Sequence, residues 1–326
     1  MRLLPILGAT ATLWAACGAA PALADEPRSV PIHMSDSGHI LTDVTINGAG
    51  PYTFIVDTAA GSTVVFDEFA QSAGLAPVEG HDPIMVQGAS GIVEAQLVRV
   101  GDVVAGEWAF TLDTAIALPG PPHITDAVGV LGVNALFAQP VGFALGEGEI
   151  QIYEEGASVR DSQVLSDNWF AVPIDRRLPQ APFYWTTVIV DGVPIDAVID
   201  TGARRTTINP AGVRALGINP DTAALAEADP IRGATDDATP AYSLPVATVQ
   251  LGERVWGSRL LTLADLPLFG RMGRGDTPTI VFGADFLTEQ NFIIDPVEEV
   301  LWVMKRQSAA LGFLLRPTSE VSAANR

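Results

Sequence analysis

The chain has 326 residues, of which 48% are hydrophobic, so it is long enough for two domains of ordinary size. Its 38 acidic and 18 basic residues give a formal net charge of -20. This charge would repel the phosphates of a nucleic acid and an anionic membrane surface. The composition therefore argues against both as partners and favours a soluble protein with neutral or cationic partners.

The first 24 residues have the features of a secretory signal. Arg2 is followed by an uncharged run that ends Ala22-Leu23-Ala24, a small-residue pattern typical of signal cleavage. We therefore expect residues 1–24 to be a cleaved signal peptide and the mature chain to be exported, either periplasmic or secreted. A retained membrane anchor is one alternative, because the run is nearly long enough to span a bilayer. A lipoprotein modified at Cys17 is another.

The rest of the chain predicts an all-β fold with a few short helices. Its apolar runs are short, rich in Val, Ile and Thr, and separated by turn pairs such as Asn47-Gly48 and Asp191-Gly192. None of these runs approaches the length of a membrane-spanning helix. The single cysteine lies in the signal, so no disulfide is expected in the mature protein.

The sequence repeats itself in two halves. Five landmarks recur in the same order, and insertions between them account for the drift in spacing. The matched segments are 30–32 and 172–174, 44–48 and 188–192, 54–60 and 197–203, 88–90 and 233–235, and 130–136 and 281–287. We place the two lobes at residues 25–158 and 168–315, with a linker at 159–167 and a tail at 316–326.

A short helix is predicted after the third landmark in each half. Residues 69–75 and 212–218 both end in an apolar residue, a glycine and another apolar residue, a pattern that stops a helix. Asn209 followed by Pro210 predicts the cap and first turn of the second helix.

Two aspartates stand at matched places in the repeat. Asp57 and Asp200 each follow three apolar residues, where a buried strand has little reason to carry a charge unless it is paired or hydrogen-bonded. One such aspartate alone most often begins a turn. Two copies at equivalent positions of a duplicated chain favour a paired site.

The residues around these aspartates identify a family. Asp200-Thr201-Gly202-Ala203 resembles the active-site loop of retropepsin-like aspartic proteases, and Asp57-Thr58-Ala59-Ala60 is its partner. Leu131-Gly132 and Phe282-Gly283 resemble the segment that packs beneath each loop in this family. The resemblance covers both halves and implies a two-lobed, pepsin-like fold with an internal pseudo-twofold repeat, of the kind found in exported bacterial relatives.

The resemblance implies an aspartic endopeptidase that cleaves polypeptides in a cleft between the lobes. Two carboxyl groups that share one proton, Asp57 and Asp200, can activate water and protonate the carbonyl oxygen. The hydroxyls of Thr58 and Thr201 would brace the opposite loop, and the N-H groups of Ala59 and Gly202 would hold the carboxyls coplanar. Neither a metal nor another cofactor is needed, and one chain holds both halves of the site, so we expect a monomer.

One position departs from the family pattern. Ala59 stands where a glycine is usual, and its methyl group would be crowded if the backbone there required a positive φ. A catalytically inactive peptide-binding protein on the same fold therefore stays open as an alternative.

The resemblance also assigns a substrate-binding flap to residues Gly88, Ala89, Ser90 and Gly91, which lie between two predicted strands. An ordinary β-turn is the alternative, and the counterpart at 233–237 could be a second flap or a plain loop. The sequence lacks the motifs of zinc-dependent and serine hydrolases. No His-Glu-x-x-His or Gly-x-Ser-x-Gly motif occurs, and the four histidines are scattered along the sequence.

Overall fold

The structure is a computed structural model that describes residues 26–160, 164–177, 183–233 and 237–305. The predicted all-β class is confirmed, because strands account for 48% of the chain and helices for 9%. The expected signal peptide at 1–24 and the expected tail at 316–326 lie outside the described residues.

The first half of the chain forms ten strands and two short helices within the described ranges. They are β1 Arg28–Met34, β2 Ile40–Ile46, β3 Ala49–Val56, β4 Val64–Phe66, α1 Asp67–Ser72, β5 Ile84–Gln87, β6 Ile92–Ala105, β7 Trp108–Leu118, β8 Gly129–Leu131, α2 Val133–Leu136, β9 Val141–Ala144 and β10 Glu149–Ile152.

The second half repeats this order with small additions. Its elements are β11 Trp169–Pro173, β12 Trp185–Val190, β13 Val193–Ile199, β14 Thr207–Ile208, α3 Pro210–Ala215, β15 Ala226–Arg232, β16 Ala238–Val246, β17 Val249–Leu251, β18 Arg254–Trp256, β19 Arg259–Leu263, α4 Pro267–Arg271, β20 Thr279–Phe282, α5 Ala284–Leu287, β21 Phe292–Asp295 and β22 Val300–Met304.

The two halves share a sheet. Strands β11, β21 and β22 of the second half join all ten strands of the first half in one 13-stranded sheet, and the remaining nine strands form a second sheet. The connection is the antiparallel pair β9 and β21, in which the rings of Phe143 and Phe292 stack with centroids 4.5 Å apart. Val159, in the expected linker, is fully buried and packs in a cluster with Ile293 and Trp302. The linking segment thus packs against the strands that join the halves.

The local signals of the repeat appear in the structure as predicted. Asn47 and Asp191 adopt positive φ values of 51° and 47° in the turns that join β2 to β3 and β12 to β13. The predicted helices are α1 and α3, which begin and end somewhat earlier than expected. The Asn209 side chain caps α3 by accepting a hydrogen bond from the Gly212 N-H at 2.7 Å.

Each loop that carries Asp57 or Asp200 leaves the end of a strand and packs over a glycine. Strand β3 runs parallel to β8, and β13 runs parallel to β20. A Cβ atom on Gly132 would lie 2.6 Å from the Ser62 carbonyl, and one on Gly283 would lie 2.6 Å from the Ala203 oxygen. Only glycine fits at these two places, which explains the paired apolar-glycine segments of the sequence.

Candidate active site

The two halves of the chain bring Asp57 and Asp200 together. Asp57 follows β3 and Asp200 follows β13, and their N-H groups donate to the carbonyls of Leu131 and Phe282 at 3.1 and 3.0 Å. The two carboxyl groups lie close enough for each to shift the pKa of the other. Both residues keep some exposure to solvent, although protein atoms surround the carboxyl groups. The fold thus places the two carboxyl groups side by side.

The threonines that follow the aspartates lock the two loops together. The Thr58 hydroxyl donates to the Ile199 carbonyl, and the Thr201 hydroxyl donates to the Val56 carbonyl, both at 2.8 Å. Each hydroxyl also accepts a hydrogen bond from the N-H of the opposite threonine, at 3.0 and 3.1 Å. Both threonines are fully buried. Four hydrogen bonds thus hold the aspartates opposite each other.

Backbone N-H groups hold the orientation of the carboxyls. Asp57 Oδ1 accepts from the N-H of Ala59 at 2.8 Å and of Ala60 at 2.9 Å. Asp200 Oδ1 accepts from the N-H of Ala203 at 2.9 Å, and the N-H of Gly202 adds a smaller stabilisation. Two backbone N-H groups thus bond to Asp57 at short distance, and one bonds to Asp200 in the same way.

Burial raises the pKa of both carboxyl groups. For Asp57 the hydrogen bonds from Ala59 and Ala60 oppose this rise in pKa. The pKa of Asp200 lies well above its usual range, because desolvation and then the negative charge of Asp57 both disfavour its ionised form. Burial and the mutual repulsion of the two charges therefore favour the protonated form of the pair relative to an isolated aspartate.

Ala59 fits its backbone. Among the described residues, the non-glycine positions with positive φ are Asn47, Asp191 and Glu299, so Ala59 does not adopt the left-handed conformation. The condition under which its methyl group would strain the backbone is not met. Its N-H still donates to Asp57.

A second set of side-chain hydrogen bonds lies beneath the two loops and was not predicted from the sequence. Thr63 donates through its N-H and hydroxyl to Asn134 Oδ1 at 2.7 and 2.9 Å. Thr206 makes the same bonds to Asp285 Oδ1, at 2.9 and 2.7 Å. The detectable signal was the position of Asn134 and Asp285 within the matched segments 130–136 and 281–287.

We expect Asp285→Ala to lower the free energy of unfolding by about 1–2 kcal/mol, because it leaves two buried Thr206 groups without an acceptor. Asp285→Asn should keep the parent stability, since Asn134 performs the same role in the first half. Desolvation raises the pKa of Asp285, but the side chain is substantially exposed and solvent screens the effect. Urea unfolding of the three proteins checks this, and equal loss in both variants would contradict it.

The predicted flap residues form the tip of a hairpin. Strands β5 and β6 pair, and the Gly88 N-H donates to the Gly91 carbonyl at 2.9 Å. Ser90 is buried, and its hydroxyl accepts a hydrogen bond from the Gly233 N-H at 3.0 Å. Gly233 follows β15, which pairs with β16. The second half of the chain therefore has a hairpin at the matching place. The two hairpins meet at their tips, while residues 234–236 lie outside the described residues.

His123 lies close in space to His33 and His39, which are far from it in the sequence. A pocket of about 410 Å³ is lined by the turn between β1 and β2, by residues of the three strands β1, β2 and β3, and by the segment before β8, and it includes His33 and His123. Burial lowers the pKa of His39, as do the charge of Arg204 and, to a smaller degree, that of His123. Arg204 belongs to the second catalytic loop and donates to the Ser37 carbonyl at 3.2 Å. Within the described part of the chain, no cluster of three His, Cys, Asp or Glu residues suits a metal ion.

Comparison with known proteins assigns the chain to a family. A search of curated proteins returned no match. A family model described as an aspartyl protease matches residues 42–135 and 186–286, which is more than half of the chain and includes both aspartates. The chain therefore belongs to the aspartyl protease family, of the retropepsin-like type.

Proposed function

We propose that this protein is an aspartic endopeptidase that hydrolyses polypeptides with water activated by an Asp57 and Asp200 dyad. The observation that carries the proposal is the contact between the two carboxyl groups, with each loop braced by the threonine of the other. Family membership supports peptidase activity in general. Thr58, Thr201, Ala59 and Gly202 support the dyad through the bonds described above.

The chemistry follows from one shared proton. The ionised carboxyl takes a proton from water as the water oxygen bonds to the carbonyl carbon, and the protonated carboxyl gives its proton to the carbonyl oxygen. The tetrahedral species then breaks its C-N bond as the nitrogen receives a proton from one carboxyl of the dyad. A hydroxyl on the same carbon gives its proton to the other carboxyl as the new C=O bond forms, which leaves a carboxylic acid, a free amine and a dyad that again holds one proton. Atoms and charge balance without a metal or another cofactor.

The site is proposed to lie in a cleft between the lobes, beneath the hairpin tip at residues 88–91. The contact from Gly233 to Ser90 spans the two halves of the chain, so it supports a flap that must move when a polypeptide enters. Both aspartates come from one chain, which supports a monomeric enzyme.

We also propose that the mature protein is exported, on the basis of the signal features in residues 1–24. The described residues contain no helix that is long and apolar enough to cross a membrane. N-terminal sequencing should find Asp25 first. A retained leader would point to an anchor, and a lipid on Cys17 would point to a lipoprotein.

The purified mature protein should cleave an unfolded polypeptide at acidic to neutral pH, and a hydroxyl-containing analogue of the tetrahedral species should inhibit it, because that analogue fits the dyad. Mass spectrometry of the fragments and the rate at several dilutions check this. Cleavage per molecule that stays constant on dilution supports a monomer. Binding of the polypeptide without any cleavage would instead favour the inactive peptide-binding alternative.

A further inference from the structure

The two catalytic loops are similar enough to be compared atom by atom. The N-H groups of Ala60 and Ala203 both donate to their aspartate at 2.9 Å. The carbonyls of the same two residues accept from the next helix at 2.8 and 2.7 Å. The reciprocal threonine bonds also agree in length. Ala59 and Gly202 therefore hold equivalent positions.

At this position the two halves differ by one methyl group. A Cβ atom on Gly202 would lie 2.2 Å from Asp57 Oδ2 and 2.3 Å from its Cγ, so no side chain fits between Gly202 and Asp57. The equivalence of the two loops implies that the Ala59 methyl faces the carboxyl of Asp200. A methyl carbon cannot approach a carboxyl oxygen to 2.2 Å, so the same equivalence implies a wider separation between Asp200 and position 59 than between Asp57 and Gly202.

The consequence is electrostatic as well as steric. A methyl group beside a carboxyl excludes water and disfavours its ionised form. Asp57 faces Gly202, which has no side chain, and accepts two short backbone hydrogen bonds. These bonds favour its ionised form. Both differences place the negative charge on Asp57 and the proton on Asp200.

We propose that Ala59 is a positioning residue that keeps the shared proton on Asp200 and leaves Asp57 as the carboxyl that accepts a proton from water. The assignment of roles rests on the proposed function. The position of the proton does not, because it can be measured without a substrate.

Other charged groups near the second loop do not account for the difference. Arg204 donates to the Ser37 carbonyl and lies beside His39, and Arg205 donates to the Asp229 carbonyl at 2.7 Å. Asp285, beneath the loop, is bonded to Thr206. The charged side chain that acts on Asp200 is that of Asp57.

The test is a pH titration of the full mature protein by NMR of ¹³C-labelled aspartate carboxyls, with the two signals assigned from Asp57→Asn and Asp200→Asn. In the parent, the step at lower pH should move mainly the Asp57 signal and the step at higher pH mainly the Asp200 signal. In Ala59→Gly, the upper step should fall by roughly half a pH unit or more, and the two signals should move together. The alkaline limb of the pH profile for hydrolysis should shift down by the same amount.

Ala60→Gly is the matched control. It also removes one methyl group from the loop and keeps the N-H that bonds Asp57, but it leaves the difference at position 59 in place. Its upper titration step should stay where the parent has it.

The outcomes separate the two proposals. If Ala59→Gly titrates like the parent, or if Ala60→Gly shifts the upper step equally, Ala59 does not position the proton. If the titrations follow the expectation but no polypeptide is cleaved, the proton assignment stands and the endopeptidase proposal fails.

Discussion

Asp57→Asn and Asp200→Asn should each reduce peptide hydrolysis by about 10³-fold or more, and the double substitution should cost little beyond either one. In the proposed mechanism the two neighbouring carboxyl groups share a proton, so losing either member removes the whole acid and base pair. Rates measured with one peptide substrate for the parent, both single variants and the double variant test the non-additivity. Asp113→Asn, on the exposed face of β7, is the matched control and should retain the parent rate.

These variants should stay folded. Burial raises the pKa of both carboxyls, so folding disfavours their ionised forms. In the parent, this cost is absent at low pH and grows as the pH rises above the unfolded value of about 4, through the raised pKa of the pair. The nearly isosteric Asn removes part of it, so the unfolding free energy of each variant should fall less than that of the parent between acidic and neutral pH.

Two results would contradict the assignment. Parent-like hydrolysis by both single variants, with an intact circular dichroism spectrum, would mean that these aspartates do not catalyse the reaction. If Asp57→Asn alone has no effect, the first half has lost its catalytic role, as the alanine at position 59 could suggest.

Thr58→Val should lower the unfolding free energy by about 2–4 kcal/mol and nearly abolish hydrolysis. The fully buried hydroxyl donates to the Ile199 carbonyl and accepts from the Thr201 N-H, so valine leaves two buried backbone groups without partners. The loops would then lose half of the bonds that hold the aspartates opposite each other. Chemical denaturation and hydrolysis rates measure the two effects.

The control for this substitution is Thr58→Ser, which keeps the hydroxyl and removes only a methyl group. It should retain both hydrogen bonds and most of the activity. Thr201→Val should behave like Thr58→Val, because Thr201 makes the equivalent bonds in the other half of the repeat. If valine is tolerated at both positions without loss of stability, the reciprocal bonds are not what holds the loops.

The short-range features of this fold could be predicted from the sequence. The turn at Asn47, the cap at Asn209 and the glycines beneath the loops depend on the conformation of a few neighbouring residues, so their identities are enough. The duplication added a second kind of information, because it marked Asp57 and Asp200 as equivalent before any coordinates were known.

Contacts between distant segments were decided only by the tertiary structure. The strand pair β9 and β21, the bond from Gly233 to Ser90 and the grouping of His33 with His123 all depend on how the two halves pack. Local propensity does not encode these long-range contacts, because each of the contacting segments would adopt the same backbone conformation without the other.

Ala59 shows the boundary between the two kinds of information. The sequence alone determined that an alanine replaces the usual glycine and that the two loops are equivalent. Whether the methyl group strains the backbone depends on φ, and what it faces depends on the opposite loop. Only the tertiary structure could decide that φ at Ala59 is ordinary and that no side chain fits between Gly202 and Asp57, the observation from which we propose that the two aspartates are unequal.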